Sequence, residues 1–142
     1  MLKATYYSIL IALTLIISSC NSEVNSETIL GEWSVQSVEI ISDNVNFEEE
    51  HVQTAEDRVM TISYTFLEGE TLKTFDGTRN LKKGGDFMLD EKRKVLTINE
   101  EYNGIKVSSV LWAIEASTSE SMTLFQDTPG KSSTRMTIVK TR

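Results

Sequence analysis

The chain has 142 residues and a formal net charge of −7, with 21 acidic against 14 basic side chains; its length fits one domain, and its charge excludes the basic face that nucleic acid requires. One cysteine and one histidine leave no disulfide framework, no thiolate zinc site and no histidine metal pair. No cofactor is expected.

Lys3 and the apolar run from Ile9 to Ile17 make the pattern of a secretory signal, and the run is shorter than the roughly 20 apolar residues that span a bilayer. Ile17-Ser18-Ser19-Cys20 closes it. This tetrad resembles the bacterial lipobox, whose cysteine takes a diacylglyceryl group as a thioether once the chain is cut in front of it. The resemblance implies a lipoprotein signal peptide over residues 1–19 and lipidation of Cys20, with fatty acyl chains such as palmitate holding the chain to a membrane. Each buried methylene contributes about 0.8 kcal/mol to that anchoring. Residues 20–28 are short and polar, and read as a flexible tether. Residues 29–142 are then the folded domain.

Trp33, Val35, Val38 and Ile40 begin it in a β-branched stretch whose parity changes, which predicts a bulge near Gln36 and Ser37. Residues 42–57 are polar and acidic and read as a long loop. Met60, Ile62, Tyr64 and Phe66 alternate with polar residues as a strand, turned at Glu68-Gly69-Glu70 and followed by a short strand over Leu72 to Phe75. Asp76-Gly77 and Gly84-Gly85 are expected to bracket a brief segment around Leu81. A hairpin over Phe87 to Ile98 follows, with a charged tip at Asp90 to Lys94. Asn103-Gly104 predicts a type I′ turn, because both central residues there need positive φ. Strands over 107–114, 122–125 and 134–140 complete a count of eight. Short strands with turns every eight to twelve residues favour an all-β antiparallel barrel or sandwich.

Gly31-Glu32-Trp33, Phe75-Asp76-Gly77-Thr78 and the Phe87 to Ile98 hairpin resemble the lipocalin-like lipoproteins of bacteria with outer membranes, over about Leu30 to Lys140. The resemblance implies an eight-stranded antiparallel up-and-down barrel. It also implies that Trp33 closes the bottom against a basic residue, for which Arg135, Lys140 and Arg142 are the candidates. Asn21, rather than aspartate, follows the cysteine, so the inner-membrane retention signal of enteric bacteria is missing and the outer membrane is the expected location.

The expected function is non-enzymatic: binding of a small apolar or amphipathic ligand inside the barrel, with Trp33, Met60, Ile62, Tyr64, Phe66 and Trp112 facing it and Phe47 and His51 at the entrance. The alternative is a filled barrel that docks an envelope protein partner or inhibits one. The carboxylate pairs Glu100-Glu101 and Asp90-Glu91 read as solvated turn charges, and no set of residues converges on catalysis. Labelling cells with a fatty acid is expected to mark the wild-type protein and to leave a Cys20→Ala variant unmarked. A labelled variant would remove the anchor from Cys20.

Overall fold

The computed structural model describes residues 23–42, 49–78, 81–129 and 131–142, so Cys20 and Phe47 lie outside the described residues. Eight strands follow the chain: β1 (Gly31–Ser42), β2 (Ile62–Leu67), β3 (Thr71–Asp76), β4 (Leu81–Asp90), β5 (Val95–Tyr102), β6 (Ile105–Ser117), β7 (Ser121–Thr128) and β8 (Ser132–Lys140). One helix, α1 (Glu49–Val59), stands between β1 and β2. Every strand pairs antiparallel with the next, and β8 returns to β1, so the sheet is a closed up-and-down barrel. Closure gives every strand two neighbours and so removes the edge strands of an open sheet.

The alternation of each strand turns alternate side chains inward. Trp33, Phe66, Leu72, Leu96, Met122, Leu124, Met136 and Ile138 are buried to 1% exposure or less and fill one half of the interior. Phe66 meets Phe87 edge to face at 4.9 Å. In β1 the register against β8 shifts between Val35 and Ser37, and this bulge keeps Trp33, Val35, Val38 and Ile40 on the core side. Asn103 (φ 52°) and Gly104 (φ 75°) both occupy the left-handed region, as the turn between β5 and β6 requires.

Three local expectations are corrected. First, Gly84 and Gly85 do not break the chain but lie inside β4. A Cβ on Gly85 would sit 1.9 Å from the carbonyl oxygen of Asn99, and its φ of +148° is one that side chains disfavour, so glycine lets β4 bend tightly over β5.

Second, residues 49–57, expected as loop, belong to α1. Glu49 and Glu50 in its first turn and Arg58 in its last complement the helix dipole. No residue of α1 is fully buried; Val52, Ala55, Glu56 and Val59 form its half-covered side, and Val59 packs on the core. The helix has a backbone reason to be there. β1 pairs with β2 only from Gly31 to Ser34, which leaves later N–H groups on that edge without a strand partner. Glu56 Oε1 accepts one of them, from Ile40, at 2.9 Å.

Third, residues 23–28 of the expected tether are built into the domain. With Ile29 and Leu30 they fold across the barrel end where β1 starts and β8 finishes. Val24 is 7% exposed and Ile29 fully buried. The Asn25 side-chain oxygen accepts from the N–H groups of Glu27 and Thr28, both at 2.9 Å, which winds the segment into a turn. Val24 N donates to Ser117 Oγ at 3.2 Å, Ser26 N donates to Glu91 Oε1 at 2.7 Å, and Lys94 pairs with Glu23. These contacts reach the turn after β4 and the last residue of β6.

Among the described residues no helix is long and apolar enough to cross a membrane. Because Ile29 is the main apolar contact of this plug, Ile29→Ala should lower unfolding free energy by about 2–5 kcal/mol, seen as a lower urea midpoint at unchanged slope. An unchanged midpoint would mean that the plug adds nothing to the fold.

Candidate functional site

The barrel has one sealed end and one polar end. At the sealed end the Trp33 indole N–H donates to the Ile29 carbonyl at 2.7 Å. Lys140, directly across the ladder from Trp33, sets its ammonium 5.7 Å from the ring centre and donates to the Thr28 carbonyl at 2.7 Å. Of the three candidate basic residues, Lys140 is therefore the one against Trp33. Arg135 is on the outer face, where it holds Glu115 through bonds of 2.7 and 3.0 Å and stacks on Phe125 at 5.2 Å. That guanidinium holds the Glu115 carboxyl below its usual range. Arg142 stays outside too, 3.7 Å from Glu32.

Toward the other end, the inward positions become polar in one sector. Tyr64 of β2 stands opposite Thr74 of β3, and Thr74 opposite Lys83 of β4. Glu100 of β5 stands opposite Ser108 of β6 on one side and Gly85 on the other. Gly85 places no side chain in front of Glu100, and Lys83 reaches across this diagonal to make an ion pair at 3.1 Å. Ser108 Oγ donates to the same carboxylate oxygen at 3.2 Å. Lys83 and Glu100 keep 28% and 15% of their side-chain surface. Thr74 is only 3% exposed, and its hydroxyl is buried with no hydrogen-bond partner. Such a group carries a penalty of about 1–3 kcal/mol until something bonds to it.

Burial pushes the Tyr64 phenol well above its ordinary range, and the nearby Glu100 charge adds to the rise. A concavity of about 310 Å³ opens at the rim beside this sector, lined by Lys83, Tyr102, Val107 and Ser108. A larger one, about 420 Å³, lies along β2 to β4 and is lined by the outward Ser63, Thr65, Lys73, Phe75 and Lys82 together with Thr74 and Lys83 of the polar sector. The larger concavity touches Thr74, the buried polar side chain without a partner, and both concavities touch Lys83.

Of the residues expected to face a ligand, Trp33, Ile62, Tyr64, Phe66 and Trp112 do converge inside the barrel. Trp33 and Phe66 are fully buried and form its floor. Met60 does not belong to the set: it is 42% exposed, in the turn after α1, and its N–H donates to Glu56 rather than to a strand. His51 is exposed on the first turn of α1. Glu100, expected as a turn charge, points inward. Its parity with Leu96 and Ile98 was the available signal, and Lys83 shares parity with Phe87 in the same way. Among the described residues no cluster of three histidine, cysteine or acidic side chains could hold a metal ion.

Comparison with protein-family models, with curated proteins and with solved structures finds no match.

A protonated Tyr64 makes stability pH-dependent with a definite sign. Above about pH 10 the unfolded chain loses its phenolic proton while the folded one keeps it, so stability that is complete below that pH declines as pH rises toward the folded value. Urea melts should show this decline in the wild type and a shallower one in Tyr64→Phe. Equal slopes would place the phenol in water.

Proposed function

We propose that the protein is a lipid-anchored, non-enzymatic component of the cell envelope, held at the outer membrane, that takes a small amphipathic molecule into the polar end of its barrel. One contrast supports this most directly. The end carrying Trp33 and Ile29 is closed by fully buried apolar side chains, whereas the interior toward the other end holds the unpartnered Thr74 hydroxyl and a partly exposed ion pair. A barrel serving only as a packed scaffold gains nothing from that polarity, since apolar residues there would be more stabilising. Below the polar sector the half-buried Val110 and the buried Trp112 offer apolar surface. The anchor rests on the Ile17-Ser18-Ser19-Cys20 pattern.

One other observation favours the second reading, a module that docks an envelope protein. Met88 and Leu111, 56% and 63% exposed, flank Thr97 on the outer face of β4 to β6. Large exposed apolar side chains in one patch are a mark of interaction surfaces. One experiment separates the two. Capture of the tagged full-length protein from detergent-solubilised envelopes, followed by mass analysis of all that comes with it, should return a lipid-like small molecule and no stoichiometric protein. A stoichiometric protein lost in Leu111→Ser, with no small molecule, would establish the second reading instead.

A further inference from the structure

The polar sector also bears on what the ligand's polar end must be, an inference that rests on the ligand-binding reading above. We infer that the barrel selects an uncharged head bearing both an acceptor oxygen and a hydroxyl, as in a monoacylglycerol, over the free carboxylate of a fatty acid or the ammonium of an alkylamine. Charge is the first ground. Lys83 and Glu100 neutralise one another at 3.1 Å, and Ser108 reinforces the carboxylate at 3.2 Å. A carboxylate entering the sector would face Glu100 at a site where that side chain is only 15% exposed, and an ammonium would face Lys83. Either ion would have to break the pair and leave one partly buried charge without its partner.

Hydrogen-bond supply is the second ground. An ammonium has three donors, of which Lys83 uses one on Glu100, and the Thr74 hydroxyl has none of its capacity taken. Tyr64, directly opposite Thr74, keeps its proton and can only be a neutral donor or acceptor. The sector thus has donors to spare, which call for an acceptor such as an ester carbonyl. Glu100 receives both of its bonds on Oε2, so Oε1 can accept from a hydroxyl of the head. An ester oxygen beside a hydroxyl answers both demands at once. Two concavities meet the sector from outside, one at Lys83 and Ser108 and the other at Lys83 and Thr74, and these give such a head its access.

The test uses the full chain, incubated with an equimolar mixture of chain-matched monoacylglycerol, fatty acid and alkylamine at neutral pH and read by native mass spectrometry after release from detergent. The monoacylglycerol adduct should exceed the other two by roughly tenfold, since a buried polar site discriminates through the groups a wrong ligand leaves unpaired. Thr74→Val, nearly the same shape, should weaken the monoacylglycerol adduct by roughly 2–10-fold, the worth of one hydrogen bond. Glu100→Gln should raise the fatty-acid adduct, an outcome that loss of folding cannot mimic. Fatty acid bound as well as the glyceride in the wild type, or an unchanged adduct in Thr74→Val, overturns the inference while the ligand-binding reading stands. The absence of every adduct overturns both.

Discussion

The structure depends on a sheet that meets itself, and on the side chain that plugs the seam. β1 runs beside β8 for nearly its whole length, and its first residues carry Trp33 to the place where the barrel narrows. The indole cannot be buried there with its N–H unsatisfied, because an unpaired donor in an apolar core costs about 1–3 kcal/mol. Ile29, four residues earlier, supplies the carbonyl, so the chain must cross beneath the ring before it can enter β1. Lys140 lies against the ring face and bonds the Thr28 carbonyl, tying the last strand to the same crossing. Plug, first strand and last strand are thereby one hydrogen-bonded unit around a single large side chain.

Much of this was legible in the residues. Period-two alternation is a local property, and it placed the strands and, through the parity change at Gln36 and Ser37, the bulge. Asn103-Gly104 was equally readable, because few dipeptides accept two successive positive φ values. What escaped was governed by tertiary context. Residues 23–28 are polar enough to be a tether, and only the pocket formed by Trp33 and the facing turns gives Val24 and Asn25 a fixed place. In α1 the apolar spacing of Val52, Ala55 and Val59 is too thin to announce a helix; its purpose is to cover a strand edge that no local pattern reveals. Gly84-Gly85 has the composition of a turn, yet it is used where two strands come too close for a side chain. Within the candidate site the aromatic members were visible as core, while Lys83 and Glu100 were hidden by the expectation that charges face water.

That expectation is physically sound for most of the barrel, which makes the exception informative. The outer face carries its charges in solvated pairs such as Arg135 with Glu115, which stabilise little. Inside, Lys83 and Glu100 are more than two thirds withdrawn from water, where desolvation offsets much of their attraction. Thr74 contributes no bond at all in its burial. Three inward positions on adjacent strands therefore give up stability that valine or leucine would supply, and the loss is confined to the end of the interior that Trp33 and Ile29 do not seal.

The plug also sets a direction. Glu23 and Val24 are fastened to the turn after β4 and to the last residue of β6, and only two residues separate Glu23 from Cys20. Even a fully extended backbone covers about 10 Å over that interval. Whatever grips the cysteine consequently holds the barrel by its blind base, like a cup standing on a table. On the proposed reading of a lipid anchor at Cys20, a ligand enters from the side that faces away from the lipid layer.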